Sequence, residues 1–148
     1  MKLSTRGRYG LRAILDIALN ENTGPVTIHN IAQRQEISER YLEQLLTMLR
    51  KNGLIKSIRG FQGGYVLNKE AREITVGDVI RALEGPIAPV ECVDDSQQGT
   101  CSRIEWCVTR KVWEDLKKTI NEVLDSYTLE DLVRESQKPK EFVYDFCI

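Results

Sequence analysis

Histidine is almost absent from this 148-residue chain, occurring once, at His29. There is no Ser/His/Asp pattern for nucleophilic catalysis. His29 falls in a predicted helix, where a lone histidine reads as a surface or packing residue. No uninterrupted apolar run approaches the length of a membrane span. The front end, Met1 to Leu19, is basic and then partly apolar like a signal peptide. Arg12 and Asp16 interrupt its apolar part, however, and no small-residue cleavage site follows. The glycine-rich stretch Arg59-Gly-Phe-Gln-Gly-Gly64 lacks the Gly-Lys-Ser/Thr of a phosphate-binding loop. Internal repeats and low-complexity runs are missing, and the composition is that of an ordered globular chain. These absences leave no enzyme signature and predict a cytoplasmic protein. In that compartment thiols stay reduced, and clustered cysteines more often bind metal or react than form staples.

Charge is divided between the halves. Met1 to Arg72 holds 12 Lys and Arg against 6 Asp and Glu, a balance of +6. Glu73 to Ile148 holds 9 against 16, a balance of −7, and the two recover the overall −1. A basic front joined to an acidic back suggests that the front meets a polyanion. Solvated surface charge is the plainer account of the same numbers.

Helical spacing and capping residues divide the front half. Ser4 is placed to cap a helix through about Asn20, with Leu11, Ile14, Leu15 and Ala18 inward. Asn22-Thr-Gly-Pro25 breaks it. Thr27 caps a second helix ending near Gln35, with Ile28, Ile31 and Ala32 inward. Ser38 caps a third, whose stripe is Leu42, Leu45, Leu46 and Leu49, and Gly53 stops it. Two short helices joined by a tight turn form a helix-turn-helix. Residues 54–58 and 65–68 then read as two strands of a hairpin whose glycines permit a tight turn. A hairpin in that position is a wing. Thr75 and Asp78 start a fourth helix, Val76 to Glu84, ended by Gly85-Pro86.

From about Ile104 to Ser126 the pattern predicts one long helix, roughly 35 Å in length. Trp113, Leu116, Ile120, Val123 and Tyr127 step by three and four, the seam of a coiled-coil-like pairing. Little of the chain remains to cover that stripe, so a second copy is the natural cover. Thr128-Leu-Glu-Asp131 begins a short last helix through about Glu135. The tail, with Pro139, Phe142, Tyr144 and Phe146, is irregular but aromatic enough to pack.

The expected fold is therefore mainly α: a winged helix-turn-helix over residues 1–85, a cysteine-bearing loop over 86–103, and a long dimerisation helix with its tail over 104–148. Such a module binds duplex DNA with its third helix in the major groove, although helix-turn-helix shapes also serve protein–protein contacts. Ser38, Arg40, Glu43 and Gln44 lie away from the leucine stripe. Gln suits adenine, Glu suits cytosine N4, and Arg suits guanine. Arg59 at the wing tip is placed for a narrow minor groove. Lys2, Arg6, Arg8, Arg50, Lys51 and Lys56 would neutralise phosphates, making affinity salt-dependent. Two copies would present paired helices to a palindrome.

Three of the four cysteines, Cys92, Cys101 and Cys107, cluster between the basic module and the long helix. Thiolates are soft ligands suited to iron–sulfur clusters. Reactive thiols are a second reading, with Arg103 and Arg110 available to lower a thiol pKa. Structural zinc is a third, although three cysteines leave its tetrahedron incomplete. Inert packing comes last for this trio and first for Cys147.

Several strings together resemble the IscR/NsrR/CymR family of bacterial winged-helix regulators: Leu3-Ser-Thr-Arg-Gly-Arg-Tyr-Gly10, Tyr41-Leu-Glu-Gln-Leu45, Leu49-Arg-Lys-Asn-Gly-Leu54 and Arg59-Gly-Phe-Gln-Gly-Gly-Tyr65. The likeness continues through Ile74-Thr-Val-Gly-Asp-Val-Ile80, the cysteine loop and Thr128-Leu-Glu-Asp-Leu132, covering nearly the whole chain. It implies a homodimeric transcription factor, usually a repressor and sometimes an activator, with Glu43 and Gln44 reading bases and Arg59 in the minor groove. Within the family three loop cysteines mark the iron–sulfur branch. That branch implies a 2Fe–2S cluster, with 4Fe–4S as the alternative, and control of iron–sulfur biogenesis or a related stress response.

Cluster-bearing members typically show Cys-x5-Cys-x5-Cys-x2-His. Here the spacing is Cys-x8-Cys-x5-Cys, and Arg110 occupies the histidine's place. Arginine is permanently protonated and is no ordinary ligand. Asp94, Asp95, Glu105 or a partner-subunit residue are the candidates for the fourth position. Cluster-free relatives of the CymR kind offer the alternative of a thiol-sensing repressor, or an adaptor governed by a protein partner.

Overall fold

A computed structural model of the chain describes residues 2–97 and 101–140. Phe142, Tyr144, Phe146 and Cys147 lie outside them. The elements run α1 (Thr5–Leu19), α2 (Ile28–Gln35), α3 (Glu39–Lys51), β1 (Ile55–Ile58), β2 (Gly64–Leu67), α4 (Val76–Glu84), α5 (Arg110–Ser126) and α6 (Leu129–Ser136).

Short hydroxyl side chains start five of the six helices. Ser4, Thr27, Ser38, Thr75 and Thr128 each accept a hydrogen bond from a first-turn backbone N–H, of Gly7, Asn30, Tyr41, Asp78 and Asp131 respectively. Each such cap contributes about 1 kcal/mol by satisfying a donor that the helix itself leaves free. Between α2 and α3, Glu36 takes the left-handed conformation, with φ 55°, which makes the turn tight.

The leucine stripe of α3 is fully buried at Leu42, Leu45, Leu46 and Leu49. Truncating one of these to alanine costs about 2–5 kcal/mol. The inward face of α1 lies differently from its expected position. Gly10, Ala13, Ile14 and Ile17 are buried, while Leu11, Leu15 and Ala18 are half-buried at its margins. Close approach of α4 is the reason: a Cβ at Gly10 would lie 2.2 Å from Leu83 Cδ1. Glycine there lets the two helices touch.

The hairpin pairs Ile55 with Leu67 and Ile58 with Gly64. A bridge of two backbone hydrogen bonds, 2.9 and 2.8 Å, joins Tyr65 of β2 to Val26 before α2. A Cβ at Gly64 would sit 2.6 Å from the Val26 carbonyl oxygen, so glycine permits this third strand-like contact. The wing is thereby fastened to the body.

Two differences from expectation concern the back half. The long helix begins at Arg110 instead of Ile104 and has 17 residues, about 26 Å. Residues 101–109 form successive turns closed by i to i+3 hydrogen bonds, such as Trp106 N–H to Arg103 O at 3.0 Å. Val108 and Thr109 are β-branched, and Trp106 and Val108 are exposed, so neither propensity nor packing supports a helix there. The last helix, α6, joins the front module. Leu129 is fully buried in its core, and Leu129 N–H donates to Ile74 O at 2.9 Å.

Candidate nucleic-acid interface and cysteine loop

The face of α3 opposite its leucine stripe is open. Arg40, Glu43 and Gln44 are exposed, while the Ser38 hydroxyl is used at the helix start. Arg50 and Lys51 are exposed in the last turn, where cations also oppose the negative end of the helix dipole. Lys56 on β1 and Arg59 beyond it are exposed as well. Among the described residues, none of Arg40, Arg50, Lys51, Lys56 and Arg59 forms an ion pair. Five uncompensated cations beside a polar helix face form the electrostatic footprint of a polyanion site.

The start of α1 flanks this face. Ser4, Thr5 and Arg6 share a surface cleft with Tyr41, Gln44 and Met48. Lys2 and Arg8 are exposed nearby in sequence. The Arg6 guanidinium reaches Leu83 O at 3.4 Å, so part of its hydrogen-bonding capacity is turned toward the end of α4. Glu84 also holds this end: its carboxylate accepts from the backbone N–H groups of Ser4 at 3.0 Å and Gly7 at 3.1 Å. A carboxylate at a helix N-terminus is favoured by both hydrogen bonding and the dipole. That contact joins positions 80 residues apart and has no local sequence signal.

One buried ion ties α1 to α2, the first helix of the helix-turn-helix. Asp16 of α1 is 2% exposed, and the Arg34 guanidinium grips it with nitrogen–oxygen distances of 2.7 to 3.3 Å. Gln35 adds a further hydrogen bond at 2.9 Å. Two more contacts tie the same region together, Arg12 to the Gln35 side chain at 3.1 Å and Tyr9 edge-on to Tyr41 at 6.1 Å. At the wing apex Phe61 is fully exposed, a residue given no role by periodicity because it lies in a turn.

The described part of the cysteine loop before residue 98 lies beside α5. Cys92 lies in a single 3-10 turn, Glu91–Val93, anchored by buried Val93. Asp95 pairs with Lys117 of α5 at 2.7 Å, and Asp94 accepts from the Ser96 N–H and hydroxyl. Cys101 and Cys107 sit in the turns before α5, and all three thiols are half-buried. Cys107 Sγ is 3.2 Å from the Thr109 hydroxyl. Hydrogen bonding from that hydroxyl, then from the Arg110 and Thr109 backbone, holds the Cys107 pKa below the ordinary thiol value, with a smaller electrostatic contribution from Arg103. Arg110 Nε is buried 3.0 Å from a Glu114 carboxylate oxygen, without the geometry of a hydrogen bond. Among the described residues, no three Cys, His, Asp or Glu side chains are gathered around one metal position. His29 is on the surface with Glu39, 2.8 Å away, remote in sequence from the loop.

Below the loop, Arg81 of α4 pairs with Asp125 and bonds Asn121 Oδ1 at 3.0 Å. Asn121 in turn donates to Ile87 O at 3.1 Å. These contacts fix α5 against the front module. No helix among the described residues is long and apolar enough to cross a membrane.

Known proteins of this architecture are close at hand. The solved structure of CymR from B. subtilis, described as that organism's global cysteine regulator, superposes with a TM-score of 0.75 at 46% identity, over 91% of this chain and 98% of the other. T. potens IscR superposes with the same TM-score and identity, over 97% and 96%. In sequence, the transcriptional regulator CymR of Bacillus subtilis (strain 168) is 46% identical over the full length of both chains. IscR of Klebsiella pneumoniae (strain 342) is 43% identical over 93% of this chain and 82% of its own. The Rrf2 family, described as an iron-dependent transcriptional regulator, matches residues 3–135. This chain belongs to the Rrf2 family of winged-helix, DNA-binding transcriptional regulators, which are not enzymes.

Proposed function

We propose that the protein is a homodimeric repressor that reads a palindromic operator and is switched by an iron–sulfur cluster on Cys92, Cys101 and Cys107. The observation that carries the DNA part is the polar face of α3, Arg40, Glu43 and Gln44, flanked by Arg50, Lys51, Lys56 and Arg59, which form no ion pair among the described residues. Glu43 and Gln44 select bases, Arg59 enters the minor groove, and Lys2, Arg8, Arg50, Lys51 and Lys56 hold phosphates. Dimerisation rests on the stripe left bare along α5, including Leu116, Val123 and Tyr127.

Three thiols that reach the surface, one with a lowered pKa, suit the donor chemistry of a cluster. A bound cluster would supply a redox-sensitive covalent tie between the loop and the start of α5. The chain's own residues transmit the loop's position: Asp95 to Lys117, then Asn121 and Asp125 to Arg81 on α4. For a switch, DNA must distinguish the two loop states in binding free energy. Arg110 in place of histidine leaves the fourth ligand to a carboxylate such as Asp94, Asp95 or Glu105, or to the second subunit.

The Cys107–Thr109 contact favours a second reading, a cluster-free, thiol-sensing repressor. Anaerobic purification with an absorbance spectrum, iron and sulfide content, and gel shifts on a selected duplex separates the two. Visible absorbance that disappears in the Cys92→Ala, Cys101→Ala, Cys107→Ala variant supports the cluster. A colourless, iron-free protein that still binds its duplex, and loses it on thiol oxidation, supports the sensor.

A further inference from the structure

We infer that Phe61 is an apolar wedge that enters the DNA minor groove beside Arg59, opens a flexible base step and so contributes shape-dependent operator selection. The inference rests on the DNA-binding reading above and adds a residue to it. Phe61 is the most exposed large hydrophobic residue of the described chain, at 104% of its reference accessibility. A lone exposed aliphatic is ordinary on a protein surface; a whole phenyl ring at the apex of a rigid hairpin is less so.

The hairpin cannot fold over to cover the ring. Its register is closed at Ile58 and Gly64, and the apex is tied by Gly63 N–H to Gly60 O at 3.0 Å. β2 is fastened to Val26 by the paired bonds through Tyr65, and the Gly64 position lies against the Val26 backbone. The tip is therefore held away from the body with Phe61 at its end. Among the described residues none covers the ring, and the charge of the turn points to a partner as its occupant.

Charge identifies that partner. From Ile55 to Leu67 the hairpin carries Lys56 and Arg59 and no acidic residue. Arg59 is exposed two residues from Phe61 in the same turn. A cationic turn of this kind is drawn to a phosphate-lined groove, and arginine favours the strong negative potential of a narrow minor groove. A phenyl ring there makes no hydrogen bonds to base edges. Its available action is to insert at a step that unstacks cheaply, such as TA or CA, and kink the duplex. Base reading by α3 and step opening by Phe61 would then be separate contributions, one direct and one through deformability.

The test uses full-length protein and a duplex that the wild-type chain selects from a randomised pool, with 2-aminopurine placed at successive steps flanking the α3 contacts. Wild-type protein should raise 2-aminopurine fluorescence at one step. Phe61→Ala should abolish that rise and weaken binding about tenfold. Its salt dependence should stay unchanged because no charge is lost, whereas Arg59→Ala should lower the salt slope by about one. Phe61→Leu should restore most of the affinity. A selected duplex bound equally by wild type and Phe61→Ala, with no step-specific fluorescence change, overturns the wedge alone. A chain that selects no duplex overturns the DNA reading and the wedge together. Loss of DNA-free self-association in Phe61→Ala, without a fluorescence effect, would assign the ring to protein contact and also overturn it.

Discussion

Arg34 closes over Asp16 so that the one charged side chain found buried among the described residues is held by a guanidinium that still reaches solvent. Asp16 is 2% exposed, whereas the Arg34 side chain is 41% exposed. The pair connects α1 with α2, the helix that precedes α3 in the helix-turn-helix. Its partners are unequal in what each does without the other. Hydrogen bonding and the charge of Asp16 raise the Arg34 pKa, opposed by a smaller desolvation, so arginine remains a cation throughout the working range.

From this inequality comes an ordering of stabilities. Arg34→Ala leaves a buried carboxylate with Gln35 as its remaining side-chain partner and should cost about 3 kcal/mol. Asp16→Asn keeps polar atoms at the site and leaves a guanidinium that can turn to water, so its cost should be smaller, about 1–2 kcal/mol. Urea unfolding followed by circular dichroism measures both. The reverse order would show that the pair's geometry, and not the stranded charge, dominates.

Gly64 makes a local prediction. A methyl group there meets the Val26 carbonyl oxygen at 2.6 Å, and backbone yields less readily than a side-chain tip. Gly64→Ala should displace β2 from Val26 at a cost of about 1–3 kcal/mol. Amide exchange should quicken at Tyr65, whose N–H donates to Val26 O, while the protection of α3 is retained. DNA affinity should fall with it, because Arg59 and Phe61 depend on the placement of the wing. Uniformly quickened exchange across all helices would instead indicate a global loss of stability.

The front module was legible because its signals are local. Ser4, Thr27, Ser38 and Thr75 mark helix starts by their own hydroxyls, and the Leu42 to Leu49 stripe specifies one face of α3. Long-range relations left no such mark. Glu84 capping α1, Leu83 pressing on Gly10, and Leu129 completing the front core each join residues distant in sequence. The overlong prediction for α5 has a different cause. The helix expected from the apolar stripe at Trp113 onward extends back to Ile104, but Trp106 and Val108 are exposed and find nothing to pack against among the described residues. Cysteine spacing raised the expectation of a joint site; the chain by itself holds Cys92 on a turn anchored by Val93 and the other two in the approach to α5.

Cys107 should be the thiol whose reactivity depends on Thr109. The threonine hydroxyl, the largest cause of the lowered pKa, stabilises the thiolate. A lowered folded-state pKa means that thiolate forms at lower pH than in an ordinary thiol, and that the stabilising contact is lost as pH falls through the folded value. Thr109→Val should move the pH profile for alkylation of Cys107 upward and slow the reaction at neutral pH. Peptide mapping after brief iodoacetamide treatment distinguishes Cys107 from Cys92 and Cys101. An unchanged profile in Thr109→Val would assign the shift to the Arg110 backbone instead.

Residues along α5 divide between two duties, and substitution should separate them. Ile120 and Leu124 pack against the cluster of Val76, Ile80 and Ile87. Val112, Leu116, Val123 and Tyr127 remain exposed at 57%, 41%, 52% and 52%. Steps of four and seven keep Val112, Leu116 and Val123 along one side of the helix, as a pairing seam requires, and Tyr127 follows just past its end. Leu116→Asp with Val123→Asp should therefore leave the monomer fold intact, because neither side chain belongs to the buried core. The same pair should weaken dimerisation by about a hundredfold or more, since two apolar contacts at the centre of an interface would be replaced by facing charges. Ile120→Ala should do the opposite, lowering the unfolding midpoint through the α4–α5 contact with a smaller effect on association. Sedimentation velocity over a concentration series reads the first effect and thermal unfolding reads the second. If the double aspartate variant sediments as a dimer at every concentration, the α5 stripe is not the seam, and the spacing of any paired DNA half-sites must be set by another surface.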